Sequence, residues 1–397
     1  MSLPKYSEYK DSGVAWLGEV PQHWEVAPYK HFVDIHNGAD HKKIEQADGF
    51  PVIGSGGPFA FASEFLYDGE SVLLGRKGTI DKPLYIVGKF WTVDTMYWTK
   101  ISPDAFGKFA YYVALTIPFT YYSTNTALPS MTKGALSAHA IARPPLDEQT
   151  AIATFLDRET AKIDELIAEQ EKLIALLAEK RQATISHAVT KGLNPDAPMK
   201  DSGVAWLGEV PAHWSVIPLK RAIVLQRGHD LAADVREPGT VPVVSSGGVI
   251  GWNNKVQAKG PGVVTGRYGT IGQFVFVPED YWPLNTTLYS VQMYENFAKF
   301  LWFMLQSLSA LFVMNSVKSA VPGVDRNDVH PLPIALPPRE EQAVISVFLE
   351  TETARLDALT AVATRGIALL KERRSALISA AVTGKIDVRH LVETEAA

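Results

Sequence analysis

KDSGVAWLGEVP occupies Lys10–Pro21, and the same twelve residues return at Lys200–Pro211. The match runs on through His23/His213, Trp24/Trp214, Val26/Val216, Pro28/Pro218 and Lys30/Lys220. Chance does not produce that identity, and self-similarity at a fixed offset marks a duplicated architecture. Weaker echoes keep the same order. Pro51-Val52 and Ser55-Gly56-Gly57 answer Pro242-Val243 and Ser246-Gly247-Gly248. The loop Gly75-Arg76-Lys77-Gly78-Thr79-Ile80 answers Gly266-Arg267-Tyr268-Gly269-Thr270-Ile271, and Trp91 with Asp94-Thr95 answers Trp282 with Asn285-Thr286. The ends match too: Pro144-Pro145, Glu148-Gln149, Ile152 and Phe155-Leu156 against Pro337-Pro338, Glu341-Gln342, Ile345 and Phe348-Leu349, then AVTKG at Ala188–Gly192 against AVTG at Ala381–Gly384.

Each half therefore has a variable body and a more uniform tail. From Leu146 to Lys191 there is neither Gly nor Pro, and apolar residues recur at Ile152, Leu156, Ile163, Leu166, Leu173 and Leu177, which is heptad spacing. Pro145, Asp147 and Glu148 suit a helix start, Lys180 and Arg181 suit its other end, and Gly192 stops it. Such a helix is about 65 Å long at 1.5 Å per residue. The second tail, Arg339 to Thr383, repeats the pattern with Ile345, Phe348, Leu349, Leu356, Leu359, Leu369 and Leu370, and Gly366 is a soft point. A long helix with a narrow apolar stripe needs a partner, and the nearest is its own repeat. If the halves are equivalent, the second helix runs back along the first. In the bodies, SVLLG at Ser71, LYIVG at Leu84, GVVTG at Gly262 and QFVFV at Gln273 read as strands, while Phe106–Leu115 and Phe297–Leu308 read as short helices. The predicted fold class is α+β: two globular bodies held apart by a pair of long antiparallel coiled-coil helices with pseudo-twofold symmetry. The boundaries are 1–146, 147–192, 193–338 and 339–397.

The chain has 397 residues, enough for two to three domains, and a 46% hydrophobic fraction that supports cores. It has no cysteine, which excludes disulfides and thiolate metal sites. The start lacks a basic-then-apolar pattern, and no run of about 18 apolar residues occurs, so the expectation is a soluble cytoplasmic protein without a membrane partner. The net charge of -5 argues at first sight against nucleic acid. Yet residues 1–146 carry 13 basic and 14 acidic side chains, whereas 147–197 carry 6 and 10. The surplus acid lies mostly in a helix expected to face protein.

Catalytic signals are missing. No acidic-or-Asn, Pro, Pro, aromatic loop for a flipped base appears, since Asn194-Pro195-Asp196 and Arg143-Pro144-Pro145-Leu146 lack the required residues, and no GxxxxGK[ST] phosphate loop occurs. His23 and His213 lack a second ligand at metal spacing and read as packing beside Trp24 and Trp214. No catalytic and no metal-binding residue is therefore expected. The glycines of the Gly-Arg-x-Gly-Thr-Ile loops are explained by a turn needing φ > 0, but Arg76, Lys77, Thr79, Arg267, Tyr268 and Thr270 stand beside backbone that allows close approach and suit phosphate or guanine contacts. Further candidates are Ser55 and Ser246 at the Ser-Gly-Gly turns, which also read as plain turns. The polar patch around Asn125, Ser130 and Lys133 is answered by Lys318, Arg326 and Asn327. Arg227, His229, Asn253, Asn254 and Lys255 complete the set by residue type.

On KDSGVAWLGEVPxHW before each body, the GRKGTI-like loop, PP-x-x-EQ opening each tail and AVTGKID at Ala381–Asp387, the whole chain resembles the specificity subunits of type I restriction-modification enzymes. The resemblance implies target recognition domains at about 22–143 and 212–336, each binding half of a split double-stranded DNA site. It implies tails that space these domains and dock two modification subunits. Those partners would carry S-adenosylmethionine and methylate adenine, a restriction subunit can add ATP-dependent cleavage, and this chain needs no cofactor. Two other readings are a structural adaptor with two protein-binding bodies and a self-sufficient methyltransferase, the latter weakened by its missing motifs.

Overall fold

The computed structural model describes residues 3–122, 129–316 and 323–393. The chain divides into two compact units, Met1–Gln170 with Arg365–Ala397, and Glu171–Thr364. Both long helices form: Leu146–Lys191, 46 residues, and Arg339–Val382, 44 residues. Each contributes one portion to each unit. In the first unit Ile152, Phe155 and Leu156 of the first helix share a core with Ile378, Ala381 and Val382 of the second. In the second, Ile185, Ala188 and Val189 pack with Ile345 and Leu349. The start of one helix thus meets the end of the other, an antiparallel pairing. Arg374 clamps Asp164 with Nε and Nη2 at 2.9 and 3.1 Å in the first unit. Arg181 Nε donates to Asp357 at 3.3 Å in the second.

The first body is a seven-stranded sheet. Its strand order is Val33–Asn37, Met96–Ile101, Tyr67–Gly75, Leu84–Thr92, Phe50–Gly54, Gly57–Ala62 and Glu45–Gln46, antiparallel except where Val52 pairs with Trp91. The second body keeps that order in two pieces, without a described counterpart of Glu45–Gln46. Val224–Arg227, Thr287–Gln292, Gly262–Gly266 and Phe274–Val277 form one sheet, and Gly248–Asn253, Val241–Ser245 and Trp282–Pro283 form the other. The long strand Leu84–Thr92 is the counterpart of both Phe274–Val277 and Trp282–Pro283, which Pro278-Glu279-Asp280-Tyr281 separate. Buried β-branched and aliphatic runs such as Val72-Leu73-Leu74 and Val263-Val264 make these central strands. Gly107–Ala114 and Ala298–Ser307 are the helices that cover them.

A short antiparallel ladder closes each body. Glu25–Pro28 pairs with Ala140–Arg143, and Ser215–Pro218 pairs with Pro333–Leu336, so each chain segment returns to its start before entering a long helix. The carboxyl group of the Glu-Gln motif then locks entry to exit. Trp24 Nε1 donates to Glu148 Oε2 at 3.0 Å, and His23 Nε2 lies 2.6 Å from Glu148 Oε1. Trp214 Nε1 donates to Glu341 Oε2 at 3.0 Å, with His213 Nε2 at 2.9 Å. The adjacent Gln149 accepts from Phe106 N and donates to Pro144 O, as Gln342 does with Phe297 N and Pro337 O. Both histidines thus serve a hydrogen-bonded framework as well as lying beside tryptophan.

The tail motifs complete this framework. Gly192 and Gly384 end the two helices at φ +77° and +71°, the left-handed stop that glycine adopts without cost. Lys191 Nζ reaches the carbonyls of Leu207 and Glu209. Lys385 Nζ reaches those of Leu17 and Glu19 at 2.8 and 2.6 Å. The two lysines do equivalent work although one precedes its glycine and the other follows. In the first unit this closing segment comes from the far end of the chain.

Candidate nucleic-acid interface

The Gly-Arg-x-Gly-Thr-Ile loops sit where strands end and a second segment crosses them. In the first unit Arg76 N donates to Thr95 O at 2.9 Å, Met131 N to Arg76 O at 2.9 Å, and Gly78 N to Pro129 O at 3.0 Å. Lys77 and Ser130 pair as an isolated bridge. A Cβ on Gly75 would stand 2.3 Å from Thr79 O, so glycine is what lets the loop fold back on itself. Arg76 Nη1 donates to Asp94 O at 3.2 Å, while Lys77 and Thr79 point outward, exposed. Lys133, exposed at the start of the short helix Lys133–Ala138, lies 3.7 Å from Asp34. Ser55 is half-buried at its turn.

The second unit gathers more of the expected residues. Arg227, His229, Arg267 and Arg326 line one open cavity of about 500 Å³, together with Asp230 and Asp325. Arg267 N donates to Thr286 O at 2.8 Å and Val324 N to Arg267 O at 2.9 Å, and its guanidinium lies 4.7 Å over the Tyr268 ring. Among the described residues none of Arg227, Arg267 and Arg326 has a carboxylate at ion-pair distance, so their charge is available to an anion. His229 Nε2 is 3.1 Å from Tyr289 OH. Asp325 caps the short helix Arg326–Val329 by accepting from Asn327 N, and Asn327 is exposed on that helix. Ser246 approaches the loop: a Cβ on Gly266 would stand 3.0 Å from its Cβ. The Thr270 hydroxyl is buried with no partner among the described residues.

Three candidates stand apart from this cavity. Asn253 is 2% exposed, and its Oδ1 accepts from Glu237 N at 3.1 Å, so its side chain holds a loop and does not face solvent. Asn254 donates to the Glu237 carboxylate, and Lys255 lies 3.8 Å from the same group. Asn125 and Lys318 lie outside the described residues. Sequence reading missed the exposed aromatic and aliphatic side chains at matching places on the outer hairpins: Phe59 and Phe61 in the first unit, Ile250 and Trp252 in the second. The alternation in GPFAFA and GVIGWN was the available signal. It also missed the stack of His36 on Trp98, centroids 4.3 Å apart, and of Trp98 on Tyr67 at 4.7 Å.

A family model described as the type I restriction modification DNA specificity domain matches residues 21–175 and again 216–364. The chain belongs to this family. As a type I DNA-specificity subunit it is similar over most of its length to the type I restriction enzyme EcoDI specificity subunit of Escherichia coli, 19% identical across 95% of this chain and 91% of that one. The MjaVIII specificity subunit of Methanocaldococcus jannaschii is 28% identical over 167 residues, where this chain spans 35% of that protein's length. A solved structure concerned with complex assembly and conformational transition of the type I R-M system superposes with a TM-score of 0.72 at 14% identity, covering 91% of this subunit and 98% of that chain. The HsdS subunit from Thermoanaerobacter tengcongensis superposes at 0.51 and 14% identity, covering 92% and 98%. At such identities the likeness is one of fold. Among the described residues of the subunit no group of His, Asp and Glu is arranged to hold a metal, and no single helix is long and apolar enough to cross a membrane.

Proposed function

We propose that each unit of this specificity subunit reads one half of an asymmetric, split double-stranded DNA site, and that the subunit works in the cytoplasm without chemistry or a cofactor of its own. The long helices set the gap between half-sites and dock two modification subunits. Those partners bring S-adenosylmethionine and methylate adenine, and ATP enters only with a restriction subunit. The observation that carries this reading is one strand order and one hydrogen-bonded framework presenting different outer residues. Lys77 faces outward where the other unit has Tyr268, and a stacked His36 and Trp98 stand where it has Gln226 and Tyr289. Equal scaffolds with unequal surfaces suit two different half-sites. Docking on the helices is supported by side chains left exposed there: Leu166 and Leu369 in the first unit, Leu173, Leu176, Leu359 and Val362 in the second.

Mapping N6-methyladenine in DNA from cells with the subunit and its modification partner, with and without an exchange of residues 22–143, tests the reading. A split motif that changes in one half only is expected; a change in both halves, or no motif, refutes it. Replacing Arg227, Arg267 or Arg326 by Ala should weaken DNA binding about 5- to 100-fold where the arginine reads a base and relax that position of the motif. Where it holds phosphate, the salt slope of log K should fall by about one, sequence preference unchanged.

A further inference from the structure

Among the exposed residues repeated in both halves, a few are not required by the turn that carries them. In the hairpin Tyr9–Asp11/Glu19–Pro21 and its copy Met199–Asp201/Glu209–Pro211, most of the twelve identical residues are required by the turn itself. Asp11 Oδ1 accepts from Gly13 N, Ser12 Oγ accepts from Val14 N, and Gly13 and Gly18 adopt φ of +68° and +63°. Asp201, Ser202, Gly203 and Gly208 repeat every one of these features. Leu17, Val20 and Pro21, like Leu207, Val210 and Pro211, are buried. That accounts for all but the outward face, where Trp16 is 40% exposed and Trp206 39%. Ala15 and Ala205, beside them in sequence, are exposed and small.

The charges on the same hairpin are unfavourable for the free chain. Asp11 stands directly opposite Glu19, and Asp201 opposite Glu209, in antiparallel registers that put like charges on one face. Neither glutamate has an ion-pair partner among the described residues, since Lys385 and Lys191 give their ammonium groups to main-chain carbonyls. A destabilising carboxylate pair next to a solvent-facing tryptophan, kept twice in a chain whose bodies diverge, is what a docking face needs and a free surface does not. Tryptophan is among the residues that most often anchor protein interfaces. The negative charge turns DNA phosphate away and suits a basic side chain. In the first unit the anchor is held in place, for the Trp16 ring stacks on buried His139 at 4.8 Å and 17°.

We infer that these two faces are identical docking sites for a protein carrying a Lys or Arg beside an apolar socket, bound once per unit. Two equal sites on a chain with two unequal readers call for a partner present in two equal copies, which the modification subunit is under the function proposed above, on which this inference rests. The hairpin is thereby a contact separate from the helices, tying each partner copy to the base of one reading body.

The test uses the full chain co-expressed with its cognate modification subunit, with stoichiometry read by native mass spectrometry and affinity by titration. Wild type should bind two copies. Trp16→Ala or Trp206→Ala should weaken one copy about 30-fold or more, leaving a one-copy complex at concentrations that saturate wild type, and the double variant should lose both. Glu19→Lys with Glu209→Lys keeps the test sound if the tryptophan variants melt early. This pair relieves the like-charge contact, so it should melt no lower than wild type yet bind the partner at least tenfold more weakly. Two copies bound within threefold of wild type by folded variants would overturn the inference, as would loss of DNA affinity with stoichiometry intact. Absence of selective methylation by the wild-type complex would overturn the functional reading instead.

Discussion

Glu148 is nearly buried, its side chain 6% exposed, and it gathers donors from both ends of the sequence: Tyr6 OH at 3.1 Å, Trp24 Nε1 at 3.0 Å, His23 and, at 3.7 Å, Arg389. A buried carboxylate persists only when its lone pairs are filled, and removing it leaves several polar groups stranded. Glu148→Ala should therefore cost about 3–5 kcal/mol in the first unit, measured by denaturant melts with hydrogen exchange to localise the loss. Glu341, with a side chain 30% exposed and, among the described residues, the Trp and His donors alone, should cost less, about 1–3 kcal/mol. His139 behaves oppositely, since burial pushes its pKa down to about 4. Protonation then favours the unfolded chain, so stability is complete above pH 6.5 and declines as pH falls toward 4, by about 3 kcal/mol. His139→Gln should flatten that part of the pH profile; an unchanged slope between pH 6.5 and 4 would contradict the assignment. Residue type alone did not foretell such roles. Arg227 and Asn253 looked alike as base readers, but one faces an open cavity and the other is buried as a loop brace, a difference set by tertiary position.

At the scale of elements the sequence was far more legible. Heptad spacing and the terminal glycines located both long helices, and the absence of Gly and Pro marked the first, because those signals are local and act through the helix itself. The stripe was only partly right: Ile152, Leu156, Ile163 and Leu177 are buried, but Leu166 and Leu173 are 46% and 41% exposed. A single antiparallel partner covers too narrow a strip to bury them all. Strand order was not legible, since it depends on pairings between distant segments, such as Val52 with Trp91. The helix end carries weight beyond its length, because Ile378, Ala381, Val382 and Val388 lie in the first unit's core. Truncation after Lys371 should therefore melt the first unit, each lost buried Ile or Val costing about 2–4 kcal/mol, while Glu171–Thr364 keeps its hydrogen-exchange protection. Protection lost equally from both units would show that they are not separable.

For the molecule as a whole, the order of segments along the chain is that of a repeat closed from its last segment back to its first. In the second unit the closing Lys191-Gly192 leads by a short link into the hairpin it clamps, whereas in the first the corresponding Gly384-Lys385 arrives from the other end of the chain. There Asp387 N donates to Pro4 O at 2.8 Å, so the first and last described segments meet. Joining them and opening the chain between Leu193 and Pro198 should give a permutant with the wild-type methylation motif, checked by the same mapping; a lost or altered motif would count against the cyclic arrangement. The meeting of the ends also fixes an order of birth. On the ribosome Glu171–Thr364 emerges as one continuous stretch and can finish folding, while the earlier body waits for the last segment. At about 5–20 residues per second, that is a delay on the order of 10–45 s after Gln170 is made. Nascent chains arrested once Thr364 has cleared the tunnel should accordingly be cut by protease within 1–143 and spared from 171 onward. The half that is made first is completed last, and until then its unfinished core is exposed to proteases and chaperones.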